Sequence, residues 1–496
     1  MAESARFRPV RADWCRILVN SADRSDVRTI DRGTISVVML RRRVPETKRT
    51  LPGVRNPGRA IVAGFGLVVI IGTVLLSLPI SSAGGDPTPL LKSLFTAVSA
   101  VCVTGLVVVD VATYFSTFGQ VVLLVLIQIG GTGVMTLATL IGLIVNHRIG
   151  LRMQVTARAE SKAFSAGDVP GVIRRVALMT VTIEAAVALV LAVGFARDHR
   201  VHSLGEAIYY GVFHSISAFN NAGFSLFSDN LVGFVGDPLI CVPIMLAIIV
   251  GGIGFPVLAE IQRRTRRTGR PRRLGLHTTI TLFTTAVLVV VGSIAFLVSE
   301  WSNPKTLAPL PLPEQILASI FGAVVPRTAG FNSLDVAAFR PETLLLNDIL
   351  MFIGGGSAGT AGGIKVTTFA LLAFVVLAEL RGEPSVHVRN RQLPTTVIRQ
   401  ALAVALLALT LVVASTMAIM AMTGYSMDRV LFEVVSAFAT VGLSTGITGR
   451  LPSAAQLILI GLMFVGRLGP ITLGSALALR DRPRRYEYPE ERPLVG

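Results

Sequence analysis

The feature that most constrains this fold is a series of uncharged apolar stretches, each long enough to cross a membrane core of about 30 Å. The clearest of them cover residues 60–78, 118–146, 278–297 and 404–422. A helix in a soluble core needs an apolar stripe on one face only, whereas these stretches are apolar on all sides. Hydrophobic residues make up 52% of the chain and charged residues 15%, which excludes an ordinary soluble protein. The sequence therefore predicts an integral membrane protein with several spans.

The three cysteines do not indicate redox or metal chemistry. Cys15, Cys102 and Cys241 are odd in number and widely scattered, a pattern that fits neither a disulfide framework nor a paired-cysteine metal site. The first 55 residues are polar and arginine-rich and lack the short apolar core of a signal peptide. We therefore expect the first apolar stretch to direct the chain to the membrane.

The basic residues are concentrated between the apolar blocks. Of 46 Lys and Arg residues, 36 lie in five segments, at 1–59, 147–175, 260–277, 379–400 and 480–496. If each intervening block crosses the membrane twice, all five segments face the same side, which the positive-inside rule assigns to the cytoplasm. We therefore predict a multi-pass protein of the plasma (inner) membrane with both termini cytoplasmic. We interpret the basic residues behind the net charge of +17 as a topology signal, and we expect some of them to contact anionic lipid of the bilayer. Nucleic acid is not an expected partner.

Four blocks of the chain repeat one pattern: an apolar helix, a shorter semi-polar segment that ends in a glycine-bearing turn, and a second apolar helix. The central glycines of these turns, called the glycine turns below, are Gly105, Gly223, Gly330 and Gly442, separated by 118, 107 and 112 residues. The predicted units are a basic N-terminal segment at 1–55, repeats at 56–147, 148–262, 263–380 and 381–480, and a tail at 481–496.

The segments before the turns, at 90–101, 207–219, 314–325 and 427–438, are helix-like but too short to span a membrane. We interpret them as re-entrant pore helices. Their dipoles would place partial negative charge at the C-terminal ends, where the turns begin, and so favour a cation at the membrane centre. Non-helical backbone is tolerated at that depth only where it lines a water-filled cavity or is buried in protein.

The glycine turns have the chemistry of an ion filter. Glycine reaches backbone conformations closed to other residues, which lets successive carbonyl oxygens point inward and replace the water around a monovalent cation. One glycine turn alone would be explained by helix packing, but four in register favour a filter for potassium. The predicted filter residues are Val103, Thr104, Gly105, Asn221, Ala222, Gly223, Thr328, Ala329, Gly330, Thr440, Val441 and Gly442.

At these motifs the chain resembles the Trk/Ktr/HKT superfamily of potassium transporters, over residues 56–496. The segments that carry the resemblance are 217–224 (SAFNNAGF), 327–332 (RTAGFN), 354–365 (GGGSAGTAGGIK), 127–131, 466–470 and 488–491. The resemblance implies an all-α membrane protein of four tandem helix, pore-loop, helix units, with eight transmembrane helices and four re-entrant pore helices. No extra apolar pair precedes residue 60, which is similar to the Ktr-type subunits.

The resemblance also implies a homodimer with one pore per protomer, and a cytoplasmic ring of nucleotide-binding regulatory subunits that are separate chains. All four filter glycines are present, which in this superfamily accompanies potassium rather than sodium. Two residues depart from the family pattern: Pro326 stands where the third pore helix usually ends in a small polar residue, and Cys102 lies in the first filter. No cofactor is expected on this chain, and potassium is expected as the transported ion.

A glycine-rich run interrupts the apolar stretch 344–377. Six of the ten residues at 354–363 are glycine, and each costs about 0.8 to 1.0 kcal/mol relative to alanine in a helix, so we expect the helix to break there. A packing seam of small residues is the alternative; the resemblance implies a gating loop. The predicted gate residues are Gly355, Gly356, Ser357, Gly359, Thr360, Gly362, Gly363, Lys365 and Arg467.

Several polar groups within the predicted membrane region leave more than one interpretation open. Arg467 either donates to carbonyl groups of the 354–363 loop or snorkels to the interface. Lys365 either marks the cytoplasmic mouth or snorkels. Glu184 either attracts cations or makes a structural hydrogen bond, and Glu433 lies mid-way along its pore helix; neither is assigned to the site. The adjacent residues Asn220 and Asn221 are either filter scaffolding or simply tolerant of turn geometry.

Other functions share some of these sequence features with a potassium pore. A secondary carrier of a small solute would also contain broken helices, but it typically has two inverted halves rather than four equal units. A sodium-permeable cation translocator is a second alternative. An enzyme is not expected, because the one GxSxG string, at residues 355–359, lacks a strand-turn-helix context and a nearby histidine or acid.

Overall fold

The computed structural model describes residues 57–133, 169–265, 274–357, 359–383, 385–388 and 391–469. The basic segment 1–55, most of the loop at 147–175, the arginines at 266–273 and the tail 481–496 lie outside this part of the chain. Within it, each of the four blocks contains a leading helix, a short helix, a glycine turn and a trailing helix, in that order. These names are used below for the elements of each repeat.

The leading helices are Pro57–Ser77, Val169–Phe195, Leu276–Glu300 and Thr395–Met422. Three of the helical stretches, Arg174–Phe195, Leu276–Glu300 and Thr395–Met422, are long and apolar enough to cross a membrane by themselves. Their surfaces present large apolar side chains outward; Leu189, Val298 and Met417 are between 67% and 71% exposed. Such an outer surface suits a hydrocarbon environment rather than water.

The short helices are Leu90–Val101, Leu204–Phe219, Leu312–Val324 and Met427–Ala439. The second begins three residues before the predicted position, because the Ser203 hydroxyl caps it by accepting from the backbone N–H of Glu206. The third has Pro311 at its N-cap and begins at Leu312. All four end at a glycine turn, where the core is centred. The largest fully buried side chains here include Phe95, Phe219, Phe224, Phe331, Phe432 and Phe438.

The trailing helices are Thr117–Thr132, Pro238–Ile253 continued by Phe255–Thr265, Pro341–Phe352 continued by Val366–Leu380, and Ser453–Leu468. The second and third are interrupted and continue, whereas the first and fourth end at the edge of the described residues. Three end at glycines with nearly the same backbone: Gly133 (φ 81°, ψ 136°), Gly254 (φ 95°, ψ 145°) and Gly469 (φ 81°, ψ 137°). At Gly254 the chain bends by 99°. The sequence predicted only the interruption in the third repeat, which is present.

The all-α prediction is confirmed apart from one small hairpin. Strands His387–Val388 and Arg391–Gln392 pair antiparallel between the third and fourth repeats. The predicted boundary between residues 262 and 263 falls inside the helix Phe255–Thr265. The full arrangement of eight spans and four re-entrant helices stays a prediction.

Candidate functional site

The four glycine turns have the same unusual backbone. In each, the central glycine and the residue two positions before it both have positive φ, which ordinary residues avoid at a cost of about 1 to 3 kcal/mol. Only one other non-glycine residue of the described chain, Asn230, has this property. The paired φ values are 55° and 88° for Val103 and Gly105, 60° and 68° for Asn221 and Gly223, 80° and 75° for Thr328 and Gly330, and 52° and 96° for Thr440 and Gly442.

The turns meet in a closed ring. A Cβ atom placed on Gly105 would lie 2.3 Å from the carbonyl oxygen of Ala222, and one on Gly223 would lie 2.6 Å from that of Ala329. A Cβ on Gly330 would lie 2.4 Å from the Val441 oxygen, and one on Gly442 would lie 2.1 Å from the Thr104 oxygen. Each repeat therefore touches the next in chain order, and the fourth touches the first. Repeats 2 and 4 are diagonally opposite, as are repeats 1 and 3.

Backbone N–H groups of the turns are bonded to carbonyl oxygens at the ends of the short helices. The residue before the glycine donates its N–H to the carbonyl oxygen of a serine in the short helix: Thr104 to Ser99 at 2.7 Å, Ala222 to Ser217 at 2.7 Å and Val441 to Ser436 at 2.8 Å. In the third repeat, which carries Pro326, Ala329 donates to Val325 instead, at 3.0 Å. With the N–H groups directed back into the protein, the carbonyl oxygens at the ring are the groups available to a cation.

Glycines of the trailing helices pack directly on the ends of the short helices. A Cβ atom on Gly130, Gly251 or Gly466 would lie 2.0, 1.9 or 1.8 Å from the carbonyl oxygen of Val101, Phe219 or Phe438, respectively. Any side chain at these positions would therefore push the trailing helix away from the turn. Gly130 and Gly466 belong to segments that carry the family resemblance, but their residue type alone does not predict this packing role.

Asn220 and Glu184 belong to a buried amide network behind the second turn. The Asn220 side-chain amide donates to Gln128 Oε1 at 2.8 Å and to Glu184 Oε1 at 3.1 Å. Gln128 Nε2 donates to the other Glu184 oxygen at 3.4 Å. The carboxylate thus links two neighbouring helices to the turn, which supports its structural interpretation. The Asn221 amide lies 3.3 Å from the Thr328 hydroxyl and joins turns 2 and 3.

The 354–363 loop folds back on itself. The N–H of Gly354 donates to the Ile364 carbonyl oxygen at 2.9 Å, and the N–H of Val366 donates to that of Gly355 at 3.0 Å. These bonds bring the two halves of the broken helix together. The predicted gate residues Gly355, Gly356, Ser357, Gly359, Thr360, Gly362 and Gly363 all lie in this loop.

The same loop lies against two of the glycine turns. Gly356 donates its N–H to the Gly252 carbonyl oxygen at 2.7 Å, and the Thr360 hydroxyl donates to that of Phe219 at 3.3 Å. A Cβ on Gly362 would lie 1.9 Å from the Thr440 hydroxyl oxygen. The loop therefore fills the space next to the ring on the side of the trailing-helix breaks.

Arg467 joins the loop to the first repeat. Its guanidinium donates to the carbonyl oxygens of Thr360 and Gly130. The contact with the loop that the sequence predicted is present, whereas the bond to Gly130 was not foreseen. The helix Ser453–Leu468 ends one residue after Arg467, so the guanidinium starts from the last turn of this helix.

The Lys365 ammonium bonds to backbone carbonyl groups of the loop that precedes it. Its Nζ donates to the Ala361 carbonyl oxygen at 2.6 Å and approaches that of Gly362 at 3.5 Å. This bonding ties the ammonium to its own loop, and the two interpretations of Lys365 relative to the membrane stay predictions. No sequence signal indicated this bonding, because the partners are backbone groups of a loop whose shape the sequence does not specify.

Comparisons with known proteins match most of the chain. The family model TrkH, described as a cation transport protein, matches residues 44–480. The Ktr system potassium uptake protein B of Bacillus subtilis (strain 168) is 40% identical, and the match covers 89% of this chain and 97% of that protein. The protein of the same description from Vibrio alginolyticus is 38% identical over 91% and 98% of the two chains. The potassium/sodium uptake protein NtpJ of Enterococcus hirae is 33% identical over 89% and 97%.

A solved structure shows the same fold. The crystal structure of the potassium transporter TrkH from Vibrio parahaemolyticus superimposes with a TM-score of 0.65, covering 87% of each chain at 19% sequence identity. At that identity the likeness establishes the arrangement of the helices and does not by itself assign a function.

Proposed function

The chain belongs to the TrkH family of cation transport proteins and is a multi-pass membrane protein of potassium uptake, and we propose that the ion passes through the ring of glycine turns. The observation that carries this proposal is the closed contact of Gly105, Gly223, Gly330 and Gly442, each against the carbonyl oxygen that precedes the next glycine. Four carbonyl-bearing turns around one axis replace the hydration shell of a cation. The chain itself would then need no bound cofactor and perform no enzymatic reaction.

The gate of this pathway is the 354–363 loop held by Arg467. Its support is the position of the loop between the ring and the trailing-helix breaks, and the bonds of the guanidinium to both Thr360 and Gly130. A fixed positive charge beside the ring also opposes a cation. We further propose a homodimer and a cytoplasmic ring of nucleotide-binding subunits that moves this gate.

The direct test of the proposed function is ion flux through the purified chain in liposomes. With a membrane potential, negative inside, we expect uptake of potassium to exceed that of sodium at equal concentrations, because four glycine turns are intact. Uptake is followed with radioactive rubidium and sodium, and protein-free liposomes serve as the control. Equal uptake of the two ions would contradict a potassium filter and favour a sodium-permeable translocator.

A second test addresses the orientation in the membrane. Glu383, an exposed residue after the third trailing helix, belongs to a segment we place in the cytoplasm, whereas exposed Asp86 lies between the first leading and short helices on the opposite side. In a cysteine-free background, Asp86→Cys should react with an impermeant maleimide in intact cells. Glu383→Cys should react only after permeabilisation. Labelling of Glu383→Cys in intact cells, without labelling of Asp86→Cys, would reverse the topology.

A further inference from the structure

The carboxylate of Glu433 holds the segment that follows the fourth glycine turn. Glu433 is 1% exposed. Its Oε1 accepts from the Ser444 hydroxyl at 2.6 Å and from the Thr445 N–H at 2.9 Å. Its Oε2 accepts from the Thr448 hydroxyl at 2.6 Å. One side chain of the short helix thus fixes the backbone just beyond Gly442.

His214 makes the same connection in the second repeat. Its Nδ1 lies 2.8 Å from the Tyr210 carbonyl oxygen, which can only accept, so Nδ1 carries the proton and Nε2 is the acceptor. Nε2 lies 3.0 Å from the Ser225 hydroxyl and accepts from the Leu226 N–H at 3.4 Å. The ring is fully buried and packs on Phe331 of the third turn.

The two residues occupy equivalent positions. His214 and Glu433 each stand nine residues before the filter glycine of their repeat. Each accepts from the hydroxyl of the serine two positions after that glycine and from the backbone N–H of the next residue. Two chemically different side chains therefore perform one structural task, which a comparison of residue types alone would not reveal.

Repeats 1 and 3 have no such connection at this position. There the residues are Thr96, whose hydroxyl bonds back to the Lys92 carbonyl oxygen at 2.8 Å, and Phe321. Phe321 lines a small cavity beside Phe331 and Asn332 instead. Since the repeats follow one another around the ring, the two connected turns are diagonally opposite.

Resting on the proposed function, we infer that His214 and Glu433 are a matched pair of positioning residues that set the potassium selectivity of the filter. Where selectivity depends on cavity size, a filter discriminates against the smaller sodium ion only while its carbonyl oxygens keep their spacing. Anchoring two diagonal turns from behind limits their inward collapse, while the other two turns adjust to the passing ion. Neither residue touches the ion; each acts through the serine and N–H beyond its glycine.

The test compares acceptor-removing and acceptor-keeping variants in the liposome assay. His214→Phe removes the acceptor in repeat 2 and introduces the residue type that repeat 3 has at the equivalent position, Phe321. Glu433→Leu removes the acceptor in repeat 4. Each should lower the ratio of potassium to sodium uptake by about tenfold, the size expected for losing a buried hydrogen bond to such a group. His214→Gln, which keeps an acceptor at the Nε2 position, should restore most of the ratio. Thr96→Val, at the same position in repeat 1, should leave it unchanged.

The outcomes separate this inference from the proposed function. A wild-type chain without selective potassium uptake would overturn the proposed function itself. A selective wild type, with folded His214→Phe and Glu433→Leu that keep its ratio, would overturn the positioning role and leave both residues as packing groups. Should those variants fail to fold, Ser225→Ala and Ser444→Ala remove the serine hydroxyl bonds from the loop side and leave the backbone N–H bonds in place. A smaller drop in the ratio is then expected, and an unchanged ratio in both would overturn the positioning role.

Discussion

Replacing Gly105 by serine should lower the ratio of potassium to sodium uptake by about tenfold or more, since a strained residue costs about 1 to 3 kcal/mol and 1.4 kcal/mol is a factor of ten. Gly105 has a φ of 88°, which disfavours any Cβ atom. That atom would also lie 2.3 Å from the Ala222 carbonyl oxygen, so turns 1 and 2 must separate. Because their oxygens then no longer match a dehydrated potassium ion, the filter should admit more sodium.

Gly85→Ser is the matched control. Gly85 also has a positive φ, of 75°, but a Cβ atom there would meet nothing within 4 Å. It therefore suffers the same backbone strain without touching the ring, and its uptake ratio should equal that of the wild type. An unchanged ratio for Gly105→Ser would remove this turn from the filter. Loss of all uptake would be consistent with Gly105 in the ring, but it would contradict the explanation that the filter widens and admits more sodium.

The sequence predicted the parts of this site that depend on residue type and spacing. The first short helix, Leu90–Val101, has the predicted bounds because an apolar segment of fixed length ends at a turn signal. The break between Phe352 and Val366 followed from the helix propensity of glycine alone. The bond of Arg467 to the loop followed from the cost of an unpartnered cation at bilayer depth.

The features that were missed are set by tertiary contacts. Val103 is β-branched and disfavours its φ of 55°, so nothing in its own identity predicts that conformation. It is imposed by the bond of Thr104 to Ser99 and by the neighbouring turn. The ends of the trailing helices at Gly133 and Gly469 carried a local signal, a glycine three residues after another glycine, which recurs at Gly251 and Gly254. Alignment of the trailing helices as well as the turns would have found it.

Arg467 and the 354–363 loop should act as a unit. The guanidinium is the group that binds the Thr360 carbonyl oxygen on the loop and the Gly130 oxygen on the first trailing helix at the same time. Removing it leaves the loop without that tie to the neighbouring repeat and removes a positive charge beside the ring. Since a hydrogen bond to a charged group contributes about 1.5 to 3 kcal/mol, Arg467→Ala should raise potassium uptake by about tenfold and make it less dependent on the regulatory partner.

Arg467→Lys separates the effect of the positive charge from that of the bridge, meaning the two bonds by which the guanidinium joins Thr360 to Gly130. Lysine keeps the positive charge, but it lacks the planar fork that reaches two carbonyl groups in different directions. If the bridge closes the gate, the lysine variant should resemble Arg467→Ala; if the charge alone blocks the ion, it should resemble the wild type. Arg381→Ala, at an exposed arginine after the third trailing helix, controls for loss of a positive charge elsewhere and should not change uptake.

The decisive comparison combines Arg467→Ala with a shortened loop that lacks residues 357–361. Each change alone should open the pathway, because the first releases the loop and the second removes the part of it that carries Thr360. Two independent changes that each raise uptake about tenfold would together raise it about a hundredfold, whereas residues that act as one unit are non-additive. We therefore expect the combination to exceed either single change by less than about threefold. Uptake is measured with and without the partner, beside thermal melts of each purified variant. Multiplicative effects, or lower uptake in variants that melt like the wild type, would leave Arg467 as a structural anchor and place the gate elsewhere.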